Sequence, residues 1–392
     1  MKLGFTPEQE DFRTESAAWL EEKLSGEFAE IRYERTIFGQ IDKRRDWERV
    51  LGAEGWSVIG YPKKFGGRDA SLAEQVIFAE EYARSGAPGR TGHIGVELAG
   101  PTLLHFGTEE QQEQFIPDMV AGKVMWAQGY SEPSAGSDLS NVRTKARLED
   151  GKWIIDGQKI WTTGAQHADW IFVLARTDPG SKGPKGLSFL LVPLKQDGID
   201  VRPIKQITAD EEFNETFFDG AVTDEANIVG GIGNGWRVAM GLLAFERGVG
   251  TLGQLMAFTR EFEIMIEKAK ETGADQNPLI RQRIGEAFTG LKVMRYSSLR
   301  MLSDDDNSTL KPAALTYKLY WSAWHKSFTE LAMDICGLPG CLMEGPIYEL
   351  DELPWRYFNA RADSIYGGTN QIQRNIVSEQ ALGMPREPRG KT

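Results

Sequence analysis

The chain has 392 residues, with 45 Lys and Arg against 57 Asp and Glu, and a formal net charge of −12. Hydrophobic residues make up 41% of it and charged residues 26%, a mixture too apolar for a disordered chain and sufficient for two or three units with large cores. The acidic balance argues against a nucleic-acid partner, which would require a basic footprint.

No apolar run approaches the roughly 20 residues needed to span a bilayer, so no membrane partner is expected. The N-terminus carries no apolar signal core, and a cytoplasmic location is expected. Cys336 and Cys341 form neither a disulfide framework nor a metal-ligand pattern, and His93, His105, His167 and His325 are scattered. No metal site is expected.

In chain order, residues 1–121 read as an N-terminal helical domain. Thr6-Pro7-Glu8-Gln9 places an N-cap, a proline at the first helical position and a capping-box partner in sequence. Ser71-Leu72-Ala73-Glu74 and Thr108-Glu109-Glu110-Gln111 repeat that logic, and Leu72, Val76, Ile77 and Tyr82 give 71–83 a helical period. Residues 122–232 change to a strand period. Asp150-Gly151 predicts a hairpin between 144–148 and 153–155, and further strands are expected at 170–175, 187–192, 199–203 and 216–218. Short strands without intervening helices predict an antiparallel sheet or barrel rather than a dinucleotide-binding βαβ unit. Residues 233–392 return to helical spacing, with amphipathic stretches at 236–259, 278–303, 313–335 and 371–382 that predict a four-helix bundle, broken by a polar loop at 303–307. The fold class is α+β: helices, a middle antiparallel β-domain, then a helical bundle.

Three segments stand out chemically. Gln128-Gly129-Tyr130-Ser131-Glu132-Pro133-Ser134-Ala135-Gly136-Ser137-Asp138 lets backbone N–H groups approach a ligand closely, and also reads as a plain turn-rich loop. Gly157-Gln158-Lys159-Ile160-Trp161-Thr162-Thr163-Gly164-Ala165 sets an aromatic beside hydroxyls, suited to a flat ring with a polar edge, and also reads as a strand end with a core Trp. Ile365-Tyr366-Gly367-Gly368-Thr369-Asn370-Gln371-Ile372-Gln373-Arg374 leads two glycines into a helix, and also reads as an ordinary capped helix start.

In this order, together with Gly107-Thr108-Glu109-Glu110-Gln111 and Gly233-Asn234-Gly235-Trp236, the segments resemble the acyl-CoA dehydrogenase family over nearly the whole chain. The resemblance implies FAD as cofactor, with Gln128, Tyr130 and Ser131 lining it, Trp161 and Thr163 against its ring, and Thr369 and Gln371 toward its adenosine side. Ser137 would meet the CoA arm of an acyl-CoA substrate. The implied reaction is α,β-dehydrogenation to a trans-2-enoyl-CoA in fatty acid metabolism and lipid degradation. Flavin N5 would accept the β-hydride, and electrons would pass to an electron-transfer flavoprotein. The family's shared FAD site implies a dimer or a homotetramer, with a hetero-oligomer as an alternative.

Many family members carry the catalytic Glu between the Tyr and Gly of the third segment, where this chain has Gly367. Glycine cannot take a proton. Members acting on long-chain and isovaleryl substrates place the Glu on the first long helix of the C-terminal bundle, before an Arg, and Phe245-Glu246-Arg247-Gly248 matches that pattern. The resemblance therefore implies Glu246 as the general base, among Leu243, Phe245 and Val249. Arg247 would lie beside the substrate, orienting the helix or offsetting nearby negative charge. Gly367 would donate its N–H to the thioester carbonyl and leave room for Glu246. An exposed Glu246, or a Glu246–Arg247 ion pair, is the bland reading.

One departure concerns the family's Arg-x-x-Phe-Gly segment, whose Arg meets the neighbouring subunit's FAD. Here the region reads Glu271-Thr272-Gly273-Ala274-Asp275-Gln276-Asn277-Pro278, with Arg281 and Arg283 nearby. The usual Gly-Gly loop likewise appears as Gly337-Leu338-Pro339-Gly340. Two alternatives follow: a non-catalytic partner subunit of a hetero-oligomeric acyl-CoA dehydrogenase, or a flavin monooxygenase or nitroalkane oxidase of the same fold.

Overall fold

The computed structural model describes residues 5–34, 36, 38–245, 250–302, 312–341, 344–345, 348–349 and 352–386. Glu246 and Arg247, the expected base and its neighbour, lie outside the described residues, as does the whole polar loop at 303–307. The chain forms two compact units, one of residues 1–17, 76–84 and 251–392, the other of residues 18–75 and 85–250.

The N-terminal elements are α1 (Pro7–Ser25), α2 (Ile41–Ala53), α3 (Leu72–Arg84), α4 (Gly100–Phe106), which continues a π-helical turn at Ile94–Ala99, and α5 (Glu109–Val120). All three expected capping boxes form. Thr6 N–H donates to Gln9 Oε1 at 2.9 Å, Ser71 N–H to Glu74 Oε2 at 2.7 Å, and Thr108 N–H to Gln111 Oε1 at 3.1 Å. Gln111 does more than cap: its Nε2 donates to the carbonyls of Ala226 and Ile228 at 2.7 and 2.8 Å, fixing α5 to the sheet.

The sheet has eight strands: β1 (Trp126–Gly129), β2 (Lys145–Glu149), β3 (Lys152–Ile160), β4 (Trp170–Arg176), β5 (Leu187–Pro193), β6 (Ile199–Ile204), β7 (Phe213–Asp224) and β8 (Ile228–Val229). Asp150 and Gly151 turn β2 into β3 with φ of 48° and 75°, the left-handed pair that a two-residue hairpin requires. The expected antiparallel sheet needs one correction: β1 runs parallel to β4, pairing Gln128 with Phe172 and Gly129 with Val173, and β2 touches β4 in parallel at Lys145 and Arg176. A parallel partner needs a long crossover, and here the β2–β3 hairpin lies within that connection.

Both faces of β4 and β5 are covered, which explains their unbroken apolar runs. Phe172, Leu174, Phe189 and Leu191 enter a core shared with Leu103, Phe115, Met119, Val238 and Leu242 of the helices. Their alternates Ile171, Val173, Leu190 and Val192 enter a second core with Trp153, Ile155, Phe218 and Ala221. The same unit ends in α6 (Gly235–Phe245).

The other unit is built from α7 (Gly250–Thr272), α8 (Pro278–Leu302), α9 (Pro312–Cys336), α10 (Glu352–Ala360) and α11 (Asn370–Ile376). Met265 of α7, Ala287 of α8, Phe328, Leu331 and Ile335 of α9, and Leu353 of α10 share one core, so four helices close around it. Of the helix expected over 236–259, residues 236–245 and 250–259 are helical, within α6 and α7, and 246–249 lie outside the described residues.

Candidate active site

The first two chemical segments meet in the sheet-bearing unit. Ile160 N–H donates to the carbonyl of Ser131 at 2.9 Å, laying the loop after β1 along the end of β3. The Lys159 side chain is wholly buried, and its ammonium donates to the carbonyls of Tyr130 (2.9 Å) and Leu174 (2.8 Å) and to Glu132 Oε1 (2.9 Å). Glu132 also accepts the N–H groups of Arg143 and Thr144 at 2.6 and 2.8 Å. Burial pushes the Lys159 ammonium down to about 8 against the pull of Glu132. Burial also works against Glu132, yet the charge and hydrogen bond of Lys159, with those of residues 143–144, hold it below its ordinary value. Neither residue stood out as functional in sequence; both sit inside the quoted segments, but nothing local reveals that they face each other.

Trp161 follows β3 and is 55% exposed, with φ at +62°. A non-glycine residue in that region costs roughly 1–2 kcal/mol and persists only when its surroundings hold it. Thr162 does so: its N–H and Oγ1 both reach the Asn214 carbonyl (3.1 and 3.0 Å), and Asn214 Nδ2 donates back to the Thr162 carbonyl at 2.9 Å. Gly164 N–H then bonds the Glu212 carbonyl at 2.7 Å. The indole is thereby turned outward, with the edge of Phe213 at 6.0 Å between centroids. Thr163, Ser131 and Gln128 are partly exposed, and Ser137 is exposed. Tyr130 differs: its ring is buried edge-on to Phe172 and Phe189 at 5.7 and 6.3 Å, so its side chain serves the core.

The third segment lies in the helical unit. Gly367 and Gly368 have φ of +57° and +88°. Three consecutive carbonyls in this turn are taken by side chains: Lys318 of α9 donates to those of Tyr366 and Gly368, the latter at 3.0 Å, and Gln373 Nε2 donates to that of Gly367 at 2.9 Å. Thr369 caps α11, accepting from Ile372 N–H at 3.3 Å, and Gln371 is exposed.

Beneath the turn, Tyr366 OH donates to Asp363 Oδ1 at 3.0 Å. His325 then bridges Asp363 Oδ2 (2.6 Å, from Nδ1) and Glu261 Oε2 (2.8 Å, from Nε2). Burial would lower the imidazole, but the Glu261 charge and the hydrogen bonds to both carboxylates raise it to about 9, so it donates from both nitrogens. Arg356 reaches Glu261 at 3.3 Å, and against burial its charge and that of His325 hold Glu261 below its usual value. Of the two arginines near the altered 271–278 segment, Arg283 pairs with Asp334 at 2.6 Å and Arg281 donates to the Asp275 carbonyl at 3.3 Å.

Models of the acyl-CoA dehydrogenase N-terminal, middle and C-terminal domains match residues 6–123, 127–221 and 233–382. Acyl-CoA dehydrogenase IpdE1 of Mycobacterium tuberculosis is 48% identical over 388 residues, covering 97% of this chain and 99% of that protein. The chain belongs to the acyl-CoA dehydrogenase family. Among solved structures, the Tcur3481-Tcur3483 steroid ACAD superposes with a TM-score of 0.87 at 29% identity, over 99% of this chain and 100% of that one. The ChsE4-ChsE5 complex from Mycobacterium tuberculosis does so with a TM-score of 0.80 at 25% identity, over 99% and 100%. Acyl-CoA dehydrogenases are FAD-dependent as a family. The residues present fit that cofactor: an outward indole on a strained, anchored backbone, with partly exposed Ser131 and Thr163 in the same two joined segments, is suited to a flat heterocycle with a polar edge.

Proposed function

We propose that this acyl-CoA dehydrogenase removes two hydrogens from an acyl-CoA thioester to give the trans-2-enoyl-CoA. The observation that carries the reading is Trp161, exposed and held at φ +62° beside Thr163, at the position the family uses to wall its flavin. Gln128, Tyr130, Ser131, Trp161, Thr163, Thr369 and Gln371 would hold FAD, Tyr130 through its backbone. Bound there, FAD supplies the acceptor for the β-hydride.

Glu246 takes the α-proton. A carboxylate shielded from water is a stronger base than one in solution, and a positioned base contributes about 10²–10⁴-fold. Gly367 N–H donates to the thioester carbonyl, where charge grows as the proton leaves; one such donor is worth roughly 3 kcal/mol in the transition state. Ser137 meets the CoA arm, and Arg247 orients Glu246 or offsets the charge beside it. Electrons leave through an electron-transfer flavoprotein. Likeness to a steroid ACAD supports a ring-bearing acyl group over a plain fatty chain. The reading places the enzyme in the cytoplasm; no helix among the described residues is long and apolar enough to cross a membrane.

Subunit association is part of the same reading. A groove of about 1170 Å³ between α8 and α9, lined by Val293, Met294, Tyr317, Tyr320 and Trp324, sits beside the exposed Phe288 and Tyr296. The FAD site that the family shares between subunits favours association, as a dimer or tetramer. The altered 271–278 segment, and likeness to two structures whose names each pair two proteins, favour a hetero-oligomer as the second reading, with this chain as one of its subunits.

The test is anaerobic titration of the purified flavoprotein with straight, branched and ring-bearing acyl-CoA thioesters, following flavin bleaching. Wild type should bleach, and Glu246→Gln should retain FAD without bleaching. A Glu246→Gln variant that bleaches near the wild-type rate rules out the base assignment. Stoichiometric FAD on this chain expressed alone would rule out the non-catalytic subunit.

A further inference from the structure

We infer that Lys318 is a positioning residue that aims and strengthens the Gly367 N–H as a hydrogen-bond donor. The inference rests on the proposed role of Gly367 toward a thioester carbonyl, and it assigns the group behind that donor.

A trans peptide is planar, and its C=O and N–H point in opposite directions. The Tyr366 carbonyl and the Gly367 N–H belong to one peptide. Lys318 donates to that carbonyl, so the Gly367 N–H is directed away from α9. Lys318 also donates to the Gly368 carbonyl at 3.0 Å, and Gln373 holds the intervening Gly367 carbonyl at 2.9 Å. The turn is thereby fixed at every peptide, although glycines at φ +57° and +88° would otherwise leave it free to rotate. Among the described residues the Gly367 N–H has no hydrogen-bond partner.

The ammonium is itself held in place. It lies 4.9 Å from the centre of the Tyr366 ring and 5.9 Å from that of Trp321. It also limits residue 367: a Cβ added to Gly367 would come within 3.1 Å of Nζ.

The arrangement is a chain, from ammonium to carbonyl, through one peptide to its N–H, and on to the acceptor. Hydrogen bonds in such chains polarise one another, by about 10–30% per bond. A cation on the carbonyl oxygen draws electron density from the amide nitrogen and makes its N–H a better donor. Lys318 therefore acts on the thioester at one peptide's remove, and its effect grows with negative charge on the acceptor oxygen. It touches no reacting atom, and its role is distinct from that of Glu246.

The experiment uses the assembled flavoprotein and a pair of probes built on whichever acyl-CoA bleaches the flavin most readily. One is its 3-thia analogue, a thioester whose β-sulfur has no hydride to give. The other is the same molecule with the thioester C=O reduced to CH2. Wild type should bind the thioester more tightly than the carbonyl-free probe by about tenfold, the worth of one strong hydrogen bond. Lys318→Met should lose most of that preference while its affinity for the carbonyl-free probe stays unchanged. Lys318→Arg, which keeps a cationic donor, should recover part of it. Lys318→Met with the full preference overturns the inference. So does an equal loss of affinity for both probes, which would mark Lys318 as merely structural. A wild type that bleaches but shows no preference overturns it at its premise, leaving the dehydrogenase reading intact; a wild type that no thioester bleaches removes that reading as well. If Lys318→Met does not fold, Lys318→Gln, which retains one neutral donor arm, must show an intermediate preference.

Discussion

The Lys159 ammonium and the Glu132 carboxylate meet at 2.9 Å with both side chains buried, and together they tie the loop after β1 to the end of β3. The two segments that would line a flavin are thus cross-braced by one ion pair behind them. Removing one partner of a buried pair strands the other. Lys159→Met should therefore destabilise the protein by about 3–5 kcal/mol, since it also leaves the Tyr130 and Leu174 carbonyls without their donor. Chemical denaturation of the variant measures this, and a loss below about 1 kcal/mol would contradict the bracing role.

Trp161 should show the opposite balance. Its backbone is strained at φ +62° and its ring is mostly in solvent. Trp161→Gly relieves the strain and gives up little burial, so the cofactor-free protein should be equally stable or gain up to about 1 kcal/mol. The same change should weaken FAD retention at least tenfold, by about 1.4 kcal/mol. Thermal melts of cofactor-free protein and flavin titration report the two effects separately. Unaltered flavin affinity would mean that the indole does not face the ring.

His325 predicts a pH dependence whose sign follows from its raised proton affinity. Folded, it titrates at about 9, raised from an ordinary 6.5 by Glu261 and Asp363 despite burial. The stabilisation is fully present below pH 6.5 and is lost as pH rises through about 9. It amounts to about 3 kcal/mol, because each tenfold gain in proton affinity on folding contributes about 1.4 kcal/mol. Glu261, held low, adds the converse limb: its contribution is present above the ordinary carboxylate range and fades as pH falls through its lowered value. Denaturation of wild type and His325→Gln between about pH 6 and 10 should show a decline in wild type that the variant lacks. Parallel curves would exclude the charged imidazole.

Gly367→Ala should reduce turnover more than folding. The left-handed φ of +57° costs an alanine roughly 1 kcal/mol. Its Cβ, 3.1 Å from Lys318 Nζ, must push the ammonium aside by a few tenths of an ångström. Moving the ammonium moves the carbonyl it holds and re-aims the N–H of residue 367. The expected result is a fall in kcat of about tenfold or more, with a modest change in melting temperature. Steady-state kinetics with the preferred acyl-CoA decides it; an unchanged kcat would mean that the turn tolerates the displacement.

Local signals account for much of what could be read in advance. Thr6, Ser71 and Thr108 each form the capping box their spacing announced, because an N-cap and its N3 partner lie within one turn of each other. Asp150-Gly151 makes its hairpin for the same reason. The order of the three chemical segments was enough to identify the family, since that order is linear information.

The pairing of β1 with β4 was not legible, because a crossover fixes which distant strands meet and neither strand carries a mark of its partner. Nor was the buried state of Lys159, which in isolation reads as a surface lysine, or the strain at Trp161, which Asn214 imposes from the neighbouring strand β7. His325 looked like one of four scattered histidines until α7, α9 and the chain after α10 brought Glu261 and Asp363 to its two nitrogens. Composition and spacing determined the elements and their order, because helix caps, turns and periodicity act over a few residues, and the ordered motifs carried the resemblance to the family. Which charges are buried together, which backbone is strained and which carbonyls of the Gly367 turn are held were decided only by packing, because those energies arise between groups that the chain keeps far apart until it folds.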